Sequence, residues 1–152
     1  MKLLDRAVEF LIGLLLVALV VTAFGQVVAR YVFGRPFTWV LEADIFLMVW
    51  ATFLAGYVGV RRDAHLRVDY FVERMTPSHR RRAVLAARLL SIAFVAVLGV
   101  KSFDVIGAME GIGFTSIPVG QALLYWALPV GSALMLIALV EGLVRDWPKR
   151  GA

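Results

Sequence analysis

Hydrophobic residues gather into four long runs along the chain, and charged residues are largely confined to the connections between them. The runs cover approximately residues 10–29, 39–60, 83–103 and 119–140. A helix rises about 1.5 Å per residue and the hydrocarbon core of a bilayer is roughly 30 Å thick, so about 20 apolar residues cross it. The pattern therefore predicts an all-α membrane protein with four transmembrane helices in a single membrane domain over residues 1–152.

Three of these runs carry features that shape the predicted helices. The first follows Lys2 and Arg6 as the core of a cleaved signal peptide would, but it exceeds the ~7–15 residues usual for such a core, which favours a retained helix. The third reaches membrane length only when it extends back through Ala83, and Arg88 must then reach toward the headgroups. Pro129 lies inside the fourth run and predicts a kink or an open backbone hydrogen bond.

Basic residues are distributed unequally between the two sides of the predicted membrane. Of the 16 Lys and Arg residues, only Arg30, Arg35 and Lys101 lie on the side that holds the first and third connections. Basic residues near transmembrane helices are retained in the cytoplasm. Both termini and the connection over residues 61–82 are therefore predicted to be cytoplasmic, which is an N-in/C-in topology.

The connection over residues 61–82 interleaves apolar with charged residues and ends in the basic run Arg80, Arg81 and Arg82. This alternation predicts a segment that lies in the membrane interface between helices two and three. Basic runs also occur in nucleic-acid patches, but a run between two spans favours anchoring to anionic lipid. We therefore predict membrane lipid, and no nucleic acid, as a partner of this segment.

Composition removes several classes of function. With 61% hydrophobic residues and a mean hydropathy of +0.84, four spans use the whole length and leave no room for a soluble domain. The absence of cysteine excludes disulfides and thiolate chemistry, and two histidines make a poor metal site. We predict neither a cofactor nor a metal.

The centres of the four predicted helices carry no ionisable residue. Their midpoints fall near Leu19, Thr52, Phe94 and Gly131, and no Asp, Glu, Lys, Arg or His lies within one turn of them. Transport pathways are usually marked by charges or broken helices near the midplane, often in repeated halves. The two halves of this chain show no convincing similarity. The pattern predicts a chain that does not itself move ions and is not an enzyme.

Small residues in the second run predict a helix-packing face. Ala51, Ala55 and Gly59 are spaced by four residues, and Gly56 lies beside them. Lipid supplies no hydrophobic drive for helix association, so small residues that allow close backbone approach mark contact faces. This face is predicted to meet either a neighbouring helix of the chain or a partner.

A polar stripe in the first run has the same spacing. Ala18, Thr22 and Gln26 share one face of the predicted helix. An amide buried in hydrocarbon needs a hydrogen-bond partner. Two interpretations of Gln26 stay open: a specific protein contact, or a position near the outer headgroups where the amide bonds water or a carbonyl.

An ordered set of motifs follows the first span. Its positions are Arg30; Trp39 and Glu42; Trp50; Phe53, Leu54 and Gly56; His65, Leu66, Val68 and Asp69; and later Pro118 with Leu128, Pro129, Val130 and Gly131. In order and spacing, this set resembles the small membrane subunit of tripartite ATP-independent periplasmic (TRAP) transporters, over about residues 6–140. It departs from the family pattern at Leu41, where an acid often precedes Glu42, and at Ala55, which interrupts a Phe-Leu-Gly run.

The resemblance implies a specific role in a larger assembly. It implies a four-helix scaffold subunit of a sodium-coupled secondary importer of organic acids in a bacterial inner membrane. A large permease subunit would carry the substrate and ion sites, and a periplasmic solute-binding protein would deliver the substrate. Helix centres without charge agree with this division, because a scaffold needs packing faces and no ion site.

The candidate residues fall into three groups. Partner-interface candidates are Trp39, Glu42, Trp50, Ala51, Ala55, Gly56, Gly59 and Gln26; structural-motif candidates are Arg30, His65, Asp69, Pro118, Pro129 and Gly131; membrane anchors are Arg80, Arg81 and Arg82. Some have a plainer interpretation. Trp39 can serve as an aromatic-belt anchor, and Glu42 can pair with Arg30 or Arg35. His65 can bond Asp69 and order a cytoplasmic turn, which we favour over a proton relay.

Two other functional classes remain as alternatives. An autonomous small channel or carrier would build its pore by homo-oligomerisation, with Thr22, Gln26 and Thr52 as lining. An intramembrane enzyme would depend on Ser91, Ser132, His65 or Asp69. Ser91 and Ser132 have no histidine or lysine at the centre of their own helices to activate them, which argues against the enzyme.

Overall fold

The computed structural model describes residues 2–62 and 76–146. Its helices are α1 (Lys2–Tyr31), α2 (Trp39–Arg61), α3 (Pro77–Ala108), α4 (Gln121–Tyr125) and α5 (Ala127–Asp146). Within the described residues there is no β-strand, and one isolated bridge joins Gly113 to Gly120. Four segments are long and apolar enough to cross a membrane: Leu3–Tyr31, Trp39–Arg61, Arg82–Ala108 and Gln121–Val144. The prediction of an all-α membrane protein with four spanning helices is confirmed.

Helix ends follow local backbone chemistry. Pro77 opens α3 after Thr76, whose φ of −60° and ψ of 149° are extended, because the fixed φ of proline suits a first turn and its missing N–H leaves no bond unmade. Gly34 has a φ of 64° after α1 and Gly111 a φ of 82° after α3. Such left-handed conformations favour glycine, and they let the chain reverse direction at both ends.

The fourth span is broken close to its start. Helix α4 ends at Tyr125 and α5 begins at Ala127. Pro129 has no N–H to offer the carbonyl of Tyr125 four residues earlier, and its ring crowds that carbonyl. Regular bonding resumes where the N–H of Val130 meets the Trp126 carbonyl at 3.3 Å. The opening that Pro129 predicts therefore lies at the Tyr125 carbonyl, where α4 ends.

The helices stand in a row instead of closing into a bundle. Helix α2 packs against α1 on one side and α5 on the other, and α5 in turn packs against α3. In the described part of the chain, α1 makes no contact with α3. Side by side in the membrane plane, the order of the described long helices is thus α1, α2, α5, α3, which is a layer one helix thick.

The buried core lies between the inner halves of α1, α2 and α5. Val8, Leu54, Tyr57 and Ala138 form its centre. Across the next seam, Arg88 of α3 donates a hydrogen bond to the Gly142 carbonyl of α5 at 3.2 Å. This arginine therefore reaches toward the cytoplasmic end predicted for α5.

Of the interfacial connection predicted over residues 61–82, residues 63–75 lie outside the described residues and residues 77–82 belong to α3.

Candidate functional site

One carboxylate clamps the loop between α3 and α4 to α2. Glu42, in the first turn of α2, accepts the backbone N–H groups of Thr115, Ser116 and Ile117 at 2.9, 2.8 and 3.2 Å. Hydrogen bonds to an ionised acceptor are stronger than neutral ones, so Glu42 fixes the tip of this loop. From the sequence, Glu42 was predicted to pair with an arginine or to contact a partner protein. The structure supplies backbone groups 73 to 75 residues away.

The polar stripe of α1 faces α2 within the chain. The Oε1 atom of Gln26 accepts the N–H of Phe37 at 3.0 Å, which orders the α1–α2 loop. The Oγ1 atom of Thr22 lies 2.5 Å from Oδ1 of Asp44 and 2.9 Å from the Ala18 carbonyl. Thr22 is therefore bonded in the α1–α2 seam, and Gln26 is bonded to the α1–α2 loop.

A charged cluster, which we call the inner cluster, ties three helices together at the end opposite the Glu42 clamp. Arg61 of α2 donates from Nε to Asp5 of α1 at 3.0 Å and from Nη1 to Glu141 of α5. The Tyr57 hydroxyl, with the residue 1% exposed, donates to the same Asp5 oxygen at 2.5 Å. Arg62 pairs with Glu9 of α1 at 2.7 Å. The inner cluster thus connects α1, α2 and α5 through α2's last turn.

The inner cluster was not predicted from the sequence, because the basic residues were interpreted only as signals of topology. A signal was present. Asp5 and Glu9 precede the first apolar run, Arg61 and Arg62 end the second, and Glu141 ends the fourth. In the predicted topology all of them lie on the cytoplasmic side, so opposite charges meet there.

The small residues of α2 do not share one contact. Ala51 is buried at 5% exposure, whereas Ala55 is exposed, and a Cβ at Gly59 would meet nothing within 4 Å. Gly56 faces Met135 of α5, whose terminal methyl occupies the space of a Cβ. Four residues turn about 40° more than one full turn in a helix of about 3.6 residues per turn. Residues spaced by four therefore shift gradually around α2, and the later ones no longer lie on the packed face.

Helices α2 and α5 approach each other closely at Gly131. A Cβ at this buried glycine would lie 2.7 Å from Cβ of Phe53 and 3.1 Å from its carbonyl oxygen. Glycine is therefore required here for space.

The two tryptophans of the predicted interface have different surroundings. Trp39 is 42% exposed, and its ring centroid lies 6.2 Å from that of Phe37. The ring centroid of Trp50 lies 6.1 Å from that of Phe46. Its indole N–H is buried, with no hydrogen-bond acceptor among the described residues.

The remaining candidates lie at the ends of the helices. Arg30 is exposed, with its guanidinium 5.9 Å from the ring centre of Tyr31, and Pro118 is exposed in the clamped loop. Arg80 and Arg82 are exposed in the first turns of α3. The side chain of Arg81 lies outside the described residues, as do His65 and Asp69.

Among the described residues, the contacts of the candidate residues pack helices together and hold loops in position. Within residues 2–62 and 76–146, no three His, Cys, Asp or Glu residues stand close enough to hold a metal ion. The Ser91 hydroxyl donates to the Ala87 carbonyl at 2.9 Å. Ser132 is 1% exposed, and its hydroxyl has no hydrogen-bond partner among the described residues.

Comparison with known proteins gives a family for this arrangement. A family model described as "Tripartite ATP-independent periplasmic transporters, DctQ component" matches residues 6–149. Over 100 residues the chain is 29% identical to the C4-dicarboxylate TRAP transporter small permease protein DctQ of Vibrio cholerae, a match covering 66% of this chain and 43% of that protein. Over 135 residues it is 27% identical to the sialic acid TRAP transporter permease protein SiaT of Haemophilus influenzae, covering 82% of this chain and 22% of that protein.

The chain thus spans less than half the length of the curated relatives it matches. The matched family is a transporter component and not an enzyme. Together with four apolar helices, these matches place the chain in a bacterial inner membrane as a multi-pass protein. The family match covers nearly the whole chain, and the protein belongs to the DctQ-component family of tripartite ATP-independent periplasmic transporters.

Proposed function

We propose that this chain is the non-catalytic scaffold of a sodium-coupled secondary importer of organic acids. It packs against a large permease subunit that carries the substrate and ion sites, and a periplasmic solute-binding protein supplies the substrate. The observation that carries the proposal is the absence of any ionisable residue within one turn of the four predicted helix midpoints. An ion-coupled pathway through the bilayer is usually marked by such residues, so the partner must provide them.

The size of one relative supports a large partner. The match to SiaT covers 22% of that permease protein, so most of it lies outside the region similar to this chain. We propose that a separate polypeptide supplies the equivalent of that remaining part. The names of the two relatives give C4-dicarboxylate and sialic acid as substrates, and both are carboxylic acids. An organic acid is therefore the substrate class proposed for the assembly.

The open face of α2 is the surface proposed to meet the permease. It consists of Leu41, Ile45, Met48, Thr52, Ala55 and Gly59, spaced alternately by four and three residues. The first five are exposed, and a Cβ at Gly59 meets open space. This spacing matches the seam of two packed helices, and small residues at its inner end allow close approach. Of the predicted interface residues, Ala55, Gly59 and Trp39 are left available for this contact.

Reconstitution tests the proposed function. Vesicles that contain this chain, the proposed large permease subunit and the binding protein should take up an organic acid when a sodium gradient is imposed. Vesicles with this chain alone should show no uptake. Sodium-driven uptake by the chain alone would overturn the proposal and favour the homo-oligomeric channel or carrier.

A leucine at Ala55 tests the proposed surface. Ala55→Leu should reduce co-purification of the large membrane protein, because the larger side chain holds the helices apart. Ala93→Leu is the matched control, since Ala93 is an exposed alanine in the membrane part of α3. Equal co-purification by both variants would place the contact elsewhere on the chain.

The channel alternative needs Thr22, Gln26 and Thr52 to line a pore. Thr22 is already bonded in the α1–α2 seam and Gln26 to the α1–α2 loop, and the Thr52 hydroxyl donates to the Met48 carbonyl at 2.7 Å. Ion flux through the purified chain, lost in Thr52→Val, would support the channel.

A further inference from the structure

An apolar groove runs along α1 near the α1–α2 loop. Its volume is about 500 Å³, and it is lined by six residues of α1 between Val20 and Ala29 and by Phe33 and Phe37 of the loop. None of the lining residues is polar. This volume falls within the range of about 300–1,000 Å³ typical of small-molecule sites. Gly25 lies on its wall, and a Cβ there would meet nothing within 4 Å.

Two arginines flank this groove in the sequence. Arg30 follows Ala29 directly, and Arg35 lies between Phe33 and Phe37. Both are exposed, and neither forms an ion pair with a carboxylate among the described residues. The backbone N–H of Arg35 bonds the Ala29 carbonyl at 3.1 Å, which holds the arginine-bearing turn against the end of α1. The groove is therefore followed in the sequence by two basic residues on the predicted outer side of the membrane.

We infer that this groove holds one acyl chain of an anionic phospholipid, with the phosphate near Arg30 and Arg35. Guanidinium groups bind phosphate oxygens through paired N–H donors, and the apolar walls suit hydrocarbon. Phe33 and Phe37 line the loop end of the groove, so a transmembrane helix lying in the groove would have to extend past these two side chains. An acyl chain does not extend past them, because it joins its headgroup at the membrane surface. The inference stands independently of the proposed scaffold role.

Native mass spectrometry of the full chain, purified with any proteins that remain bound, tests the site. The probes are phosphatidylglycerol and phosphatidylcholine, added separately in mild detergent. The wild type should retain one phosphatidylglycerol. Gly25→Leu should abolish retention because its side chain enters the groove. Gly13→Leu is the matched control: it lies on the same helix, outside the groove, and a Cβ there also meets nothing within 4 Å.

The charges are tested separately. Arg30→Gln and Arg35→Gln should each weaken phosphatidylglycerol retention about fivefold, from about 1 kcal/mol per arginine near an anionic surface, and weaken phosphatidylcholine retention less, because the choline ammonium offsets the phosphate charge. Lys101→Gln is the control, because Lys101 is paired with Asp104 on α3, at the other end of the row.

Three outcomes would overturn the inference. One is equal lipid retention by Gly25→Leu and Gly13→Leu. Another is equal retention by wild type and both arginine variants. The third is a cross-link from the Phe24→Cys variant to a co-purified membrane protein, which would make a protein the occupant of the groove.

Discussion

Replacement of Gly131 by alanine tests the close approach of α2 and α5. The added methyl carbon would lie 2.7 Å from Cβ of Phe53 and 3.1 Å from its carbonyl oxygen. Neither atom can rotate away, because one is backbone and the other is fixed to it. Helices α2 and α5 must therefore move apart. Overpacking of this kind costs about 1–3 kcal/mol, and α5 packs along both α2 and α3, so its displacement disturbs both seams.

Gly142→Ala is the matched control in the same helix, where an added Cβ meets nothing within 4 Å. Both variants share any gain from the higher helix propensity of alanine, so their difference isolates the steric effect. The free energy of unfolding should be lower in Gly131→Ala than in Gly142→Ala by about 1–3 kcal/mol. The assay is SDS titration in mixed micelles, followed by tryptophan fluorescence. Equal stability of the two variants would refute the crossing at Gly131.

The remaining predictions concern the loops, the inner cluster and the helix break. Glu42→Gln should speed amide hydrogen exchange in the α3–α4 loop, because a neutral acceptor makes weaker hydrogen bonds; exposed Glu110→Gln is the control, and equal exchange would contradict the clamp. Arg61→Gln should raise hydrogen exchange in the first turns of α1 more than Arg62→Gln, since Arg61 joins three helices and Arg62 only two; a larger effect of Arg62→Gln would exclude this hierarchy. Pro129→Ala should restore a hydrogen-bonded amide at its position and slow exchange there; rapid exchange would mean that another residue breaks the span.

Local chemistry made part of the fold predictable. Four apolar runs gave four spans, because the bilayer imposes one length on every crossing helix. Pro129 gave the helix break, because its missing N–H acts four residues away in the same helix. Such features depend only on residues that are close in the sequence, so their positions can be predicted without knowing the fold.

Contacts between residues that are far apart in the sequence could not be predicted from it. The partners of Glu42 lie 73 to 75 residues away, and nothing in their residue types marks a backbone N–H as its partner. The different surroundings of Ala51 and Ala55 depend on which sides of α2 are taken by α1 and α5. The spacing of the small residues identified one face of α2. Which part of that face is buried depends on where α1 and α5 pack against it.

The single-file order of the helices also sets the protein's outline in the membrane plane. With neighbouring axes about 8–10 Å apart and helices about 10 Å across, four in line extend roughly 35–40 Å, about twice the breadth of a square bundle of the same length. If such a row is fixed along one side of a larger membrane protein, it forms a long, thin extension into the lipid. The surrounding lipid then resists tilting of that larger protein.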